Sequence, residues 1–331
     1  MLRRGLVLFL TLAAGALASP AEAQRGNPPG LPGQMGWVQF SLSSGRIVAD
    51  SPYFGSGMQS SSQGNDREET LSLEMNGASP VVRYQSRSSQ ESILLVVTDR
   101  SDLSLTREPV GEDQGPRVEL TQPPGGPVTL LLGSGPTRRE VRGATLWHVL
   151  LADPAAAAAH LLPLLDLLDD NWNLAETLSA LDGQLLRAAE KRRPANRELW
   201  SSYVAQLGSP RFADRQAADR ALRRADAAVA PYLRSLDPDR LDAEQRLRVR
   251  RLIAAVESNL EDGSPERIAA WLTWDPAAWA LLLSRPDEAT RRRAAEQVGL
   301  LLGRTIDFDP AADEATRAAQ IEALGALLSP P

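Results

Sequence analysis

The sequence predicts an α+β protein: a β-rich antiparallel domain over residues 36–142, followed by an all-α region over 143–331. Three observations carry that division. Residues 36–142 consist of short apolar or alternating stretches broken by Gly, Pro and Asn turn signals. From Ala144 onward the texture changes to Ala, Leu, Arg and Asp. In that second part, small polar residues recur immediately before proline, which marks helix starts.

The chain begins with a segment that belongs to neither part. Arg3 and Arg4 precede an apolar run from Gly5 to Ala18, and Ala21-Glu22-Ala23 places small residues at the cleavage-recognition positions. This is the layout of a signal peptide over 1–23. It predicts export to the periplasm or the extracellular space. Residues 24–35 are rich in Pro and Gly and read as a flexible linker.

The β-rich part is justified strand by strand. Expected strands are Trp37–Leu42, Arg46–Val48, Thr70–Met75, Val81–Gln85, Ile93–Thr98, Leu103–Thr106, Arg117–Thr121 and Val128–Leu132. Thr70–Met75 and Arg117–Thr121 alternate polar with apolar residues, as half-buried strands do. Ile93–Val97 is continuously apolar and reads as a central strand. Asn76-Gly77, Gly115-Pro116 and Pro123–Pro127 supply turns, and Gly55–Asp66 reads as a long polar loop. Such spacing suits a small sandwich or a sheet covered by helix.

Helix starts are expected at Asp153-Pro154, Ser209-Pro210, Asp237-Pro238, Ser264-Pro265, Asp275-Pro276 and Asp309-Pro310. Ser or Asp accepts from the free N–H groups of a first turn, and Pro at the next position loses no hydrogen bond. Leu241–Gln245 reads as a hydrophobic staple with a capping box. Leu247, Leu252, Ile253 and Val256 then line one helix face, and Phe212, Ala217, Ala221 and Leu222 line another. Each helix is too short to stand alone and must pack on neighbours.

Within this region, Ser209–Leu222, Ala227–Leu236 and Leu241–Val256 carry a recurring pattern. It resembles the HEAT-like helical repeats of planctomycete-type bacteria, over about residues 199–257. Val229, Pro231 and Leu233 match the second element of such a repeat, and Arg248, Arg250 and Arg251 match its Arg-rich helix. Repeats of this kind occur in sensors, scaffolds and enzyme appendages alike, so the resemblance implies a helical-array fold and not an activity.

Composition limits the chemistry. There is no cysteine, so disulfides, thiolate metal sites and cysteine nucleophiles are excluded. The formal net charge of −6 opposes nucleic-acid binding, and no later segment is apolar enough to span a bilayer. His148 and His160 lie twelve positions apart in Leu-rich sequence and read as structural. Ser134 lacks the Gly-x-Ser-x-Gly context of a nucleophile elbow. Asp169-Asp170 and Asp307-Phe308-Asp309 do not continue as calcium loops and read as helix caps. No catalytic, cofactor or metal residue is therefore assigned.

The expected function is a non-catalytic scaffold that binds a protein or peptide in the cell envelope. The expected contact residues are Arg246, Arg248, Arg250, Arg251, Arg291 and Arg292, together with Trp274, which sits between helices. Two alternatives stand beside this. One is an envelope polysaccharide hydrolase using a carboxylate pair. The other makes the β-rich domain a ligand-binding module and the helices a docking arm.

Overall fold

The computed structural model describes Pro32 and residues 36–53, 57–64, 66–77, 79–111, 115–191, 197–225, 229–234, 236–257 and 262–328. The signal peptide expected over 1–23, and the linker expected over 24–35 apart from Pro32, lie outside the described residues.

The first two strands, β1 (Gln39–Ser43) and β2 (Arg46–Asp50), form a separate hairpin. Its turn residues Ser44 and Gly45 have φ of 56° and 68°. Two consecutive positive φ values match the right-handed twist of the flanking strands. Eight further strands build one antiparallel sheet: β3 (Met58–Gln63), β4 (Arg67–Asn76), β5 (Ser79–Ser88), β6 (Glu91–Thr98), β7 (Asp102–Pro109), β8 (Val118–Gln122), β9 (Val128–Leu132) and β10 (Arg139–Gly143). Every strand pairs with its sequence neighbours, so the sheet is a simple meander with β3 and β10 at its edges.

The register puts Leu73, Val82, Val97 and Leu103 in one inward row and Leu71, Tyr84, Leu95, Leu105, Leu120 and Leu130 in another. All of these are buried. The opposite face is not covered to the same degree. Leu94 is 36% exposed and Val96 half-buried, so Ile93–Val97 is interior on one side only. Of the two expected arrangements, the sheet covered by helix is the one found.

Two strands have no counterpart in the sequence reading. Gly55–Asp66 was expected as a loop, but Met58–Gln63 pairs with β4. Arg139–Gly143 pairs with β9. Both are edge strands with polar sequences, where exposure removes the apolar alternation that betrays a strand.

The helices are α1 (Leu146–Ala152), α2 (Pro154–Ala156), α3 (Leu162–Leu165), α4 (Leu174–Lys191), α5 (Arg197–Leu207), α6 (Phe212–Arg223), α7 (Val229–Arg234), α8 (Ala243–Glu257), α9 (Pro265–Leu272), α10 (Pro276–Leu281), α11 (Glu288–Leu302) and α12 (Glu314–Leu328). A single π-helical turn over Ala157–Leu161 joins α2 to α3. Pro163 has no N–H to return to the preceding turn, which favours such a widening. The expected caps are present. Asp153, Ser264 and Asp275 accept from Ala156 N, Arg267 N and Ala277 N. Asp242 and Gln245 exchange side chain-to-backbone hydrogen bonds of 2.8 and 2.9 Å, the reciprocal capping box. Ser209 and Asp309 instead cap short turns before α6 and α12, accepting from Arg211 N and Ala311 N.

Packing divides the chain differently from its strand–helix order. One continuous core joins the inward face of the sheet to α1–α4 and α9–α12. A second core is built from Trp200, Val204 and Leu207 of α5, Leu222 of α6, Val229 and Leu233 of α7, and Val249, Leu252 and Val256 of α8. The chain leaves the main core after α4 and returns at α9, which packs against α4. The α5–α8 unit therefore coincides with the stretch that resembles a helical repeat.

Candidate functional site

Three places gather the functional side chains. The first is the α8 surface. Arg246, Arg250 and Arg251 are exposed, and Arg246 Nη1 lies 3.3 Å from Pro238 O. Arg248 is half-buried and donates to Glu244 Oε1 at 2.6 Å, one helical turn away. Arg292 of α11 is exposed and paired with Glu288. Phe212, expected on an apolar inner face, is 63% exposed at the start of α6, with the Arg215 guanidinium 5.7 Å from its ring centroid. Leu199 and Leu247 of the same unit are 42% and 36% exposed.

Two expected contact residues are corrected here. Trp274 is only 9% exposed and closes the second core. Its position between helices places it where the two cores meet rather than at the surface. Arg291 is 6% exposed, and its guanidinium donates to the carbonyls of Pro310, Arg285 and Pro286 at 2.6–2.8 Å. It is a structural tie holding two turns against α11, because backbone carbonyls at such turns need a donor.

The second place is a buried polar relay beneath the hairpin. Thr145 Oγ1 lies 2.8 Å from His148 Nδ1, and His148 Nε2 lies 3.2 Å from Asp275 Oδ2. Burial pushes the Asp275 carboxyl up, but hydrogen bonds and the charges of His148 and Arg234 outweigh it and hold it below the usual range. Next to the relay, Asp262 accepts from Gly45 N and from Trp147 Nε1, both at 2.7 Å. Burial dominates there and raises the Asp262 carboxyl. The order hydroxyl–imidazole–carboxylate resembles a nucleophilic relay, yet His148 is 2% and Thr145 8% exposed. Its geometry ties α1, the hairpin turn and the start of α10 together.

The third place is a cleft of about 250 Å³ between the sheet and the helical connection at His160. Arg67, Gln90, Glu91 and Arg107 form one wall, and His160, Pro163, Leu164 and Leu167 are among the residues of the other. Arg67 Nε donates to Ser86 Oγ at 2.8 Å and lies 3.5 Å from Glu69 Oε1. Arg107 Nε donates to Glu91 Oε2 at 2.5 Å. Tyr84 donates to Glu69, and burial together with that bond raises the phenol. The register places Arg67, Glu69, Glu91 and Arg107 in the inward-facing rows of β4, β6 and β7, past the end of the apolar stripe. Arg67-Glu68-Glu69-Thr70 is uniformly polar, so this end of the inward row is found only by extending the Leu71–Leu73 register back along β4.

Of the two histidines, His148 is buried in the relay and His160 lines the cleft, so they serve different elements. Ser134 is exposed ahead of a short 3-10 turn. Asp169 and Asp309 accept from the N–H groups two residues on, as local caps do. Among the described residues, no group of three or more His, Asp or Glu is placed to hold a metal ion, and no single helix is long and apolar enough to cross a membrane. No family model, no curated protein and no solved structure matches this chain.

Proposed function

We propose that this chain is a non-catalytic binding protein of the cell envelope, and that the α5–α8 unit captures a protein or peptide partner. The observation that carries the reading is the second core. Four short helices enclose their own apolar centre and still present Leu199, Phe212 and Leu247 to solvent, with Arg250 and Arg251 exposed on α8. Large apolar side chains set among arginines are typical of protein-contact patches. The test is recovery of envelope proteins with the tagged chain and with two variants, Phe212→Glu and Arg250→Glu/Arg251→Glu. A specific partner that both variants lose, while their thermal unfolding is unchanged, is the expected result. Equal recovery by all three proteins overturns the assignment of binding to this unit.

A second reading is favoured by the cleft at His160. There the sheet contributes the polar wall and the helical connection the apolar one, as in a small-ligand module. Chemical-shift changes confined to His160 and Leu167 on ligand screening would favour it, and none would remove it.

A further inference from the structure

The two edges of the eight-stranded sheet are treated differently. At one end β10 carries Arg139, Glu140 and Arg142, and α1 packs against it. Charged side chains and a covering element are the usual protection of a free edge. At the other end β3 reads Met58-Gln59-Ser60-Ser61-Ser62-Gln63. It has neither charge nor proline, and Gln59 and Ser61–Gln63 are exposed. In an antiparallel pair alternate residues direct their N–H and C=O groups away from the partner strand. Among the described residues β3 pairs with β4 alone and so turns half of its backbone groups away from that partner.

We infer that β3 is a self-pairing edge, at which a second copy of this chain adds its own β3 antiparallel across a two-fold axis. The sequence of the strand selects that occupant. A two-fold antiparallel pair must place a residue opposite itself, and like faces must stay together. Of the two registers with the longest overlap, one sets Ser60 on the axis, with Gln59 opposite Ser61 and Met58 opposite Ser62. The other sets Ser61 on the axis, with Ser60 opposite Ser62 and Gln59 opposite Gln63. Both are free of like-charge pairs, which directly opposed strands do not tolerate. The strand β10 differs in being covered, because α1 packs against it. Six residues span about 20 Å, so the contact is a small one and the association weak and concentration-dependent. This inference does not depend on the partner-binding reading of α5–α8.

The test is sedimentation of the purified wild type and two double variants from about 10 µM to about 1 mM. Wild type should rise from the 35.8 kDa of one chain toward twice that mass. Gln59→Lys/Ser61→Lys puts like charges opposite each other in both registers and should stay monomeric. Gln59→Glu/Ser61→Glu should do the same alone. An equimolar mixture of the two double variants should recover the dimer, which a folding defect could not produce. A wild type that stays at one chain's mass, a Lys variant that still dimerises, or a mixture that does not associate overturns the proposal.

Discussion

Gln122 is a buried side chain that ties the hairpin β1–β2 to the main sheet, beside the more exposed ties of Arg46 to Gly126 O and Pro123 O, and replacing it with alanine is the sharpest perturbation the fold offers. Gln122 is 1% exposed at the end of β8. Its Oε1 accepts from Ile47 N at 2.9 Å, and its Nε2 donates to Ile47 O at 2.8 Å and Ser101 O at 2.9 Å. The amide thus stands in for a stretch of strand, serving both backbone groups of Ile47. Gln122→Ala strips partners from one N–H and two C=O groups in a buried place. Each buried orphan costs about 1–3 kcal/mol, and partial entry of water places the total near 4 kcal/mol. Gln122→Leu refills the space but restores no partner, so it should recover little. The assay is denaturant unfolding together with amide exchange at Ile47 and Ala49. Ala49 N also crosses from the hairpin, donating to Arg100 O at 2.8 Å. The expected result is a large stability loss with early exchange across β1–β2. A loss under about 1 kcal/mol, or unchanged protection of Ile47, would refute the argument that this amide docks the hairpin.

Three further outcomes follow from particular contacts. Gly45→Ala should destabilise by about 2–4 kcal/mol in thermal unfolding, since its φ is +68° and a Cβ would sit 2.6 Å from Thr145 Cβ. Arg291→Lys should cost about 2–4 kcal/mol by the same measure, because one ammonium cannot reach the carbonyls of Pro310, Arg285 and Pro286 together. Acid titration of stability should separate the two buried carboxylates. Asp275 is held below its unfolded value, so its contribution is present above about pH 4 and is lost as pH falls through the folded value. Asp262 is raised, so its contribution is full below about pH 4 and is lost as pH rises through the folded value. Comparing wild type with Asp275→Asn and Asp262→Asn by urea unfolding between about pH 2 and pH 7 should give slope changes of opposite sign.

How far the fold is legible in the sequence depends on what each element borders. Strands with a buried row, such as Thr70–Met75 and Val128–Leu132, show their alternation or apolar run openly. The edges Met58–Gln63 and Arg139–Gly143 do not, because nothing covers both sides of them. Helix starts were readable through Asp153, Ser264 and Asp275, whose capping is a local matter of a side chain and the next turn. The order of packing was not. That α4 meets α9 across the whole α5–α8 excursion follows from tertiary complementarity over some seventy positions, which no short window carries.

The same distinction governs the candidate sites. Arg246, Arg250 and Arg251 are exposed, as their polar helix face suggested. Arg291 looked like a member of an exposed Arg291–Arg293 run, yet it turns inward to carbonyls that lie up to 19 positions away. Trp274 fills the seam between two cores, a seam that exists only once α9 returns to α4. Asp275 was readable as a cap, while its second role beside His148 required the start of α10 to meet α1 in space.

The most direct test of the proposed function is site-specific photo-crosslinking in living cells. A photoreactive residue is placed in turn at Phe212, at Arg250 and, as a control, at Leu94 on the open face of the sheet. The binding-protein account predicts one recurrent envelope partner captured from positions 212 and 250 and absent from 94. Capture from position 94 alone, or the same products from all three positions, would contradict it.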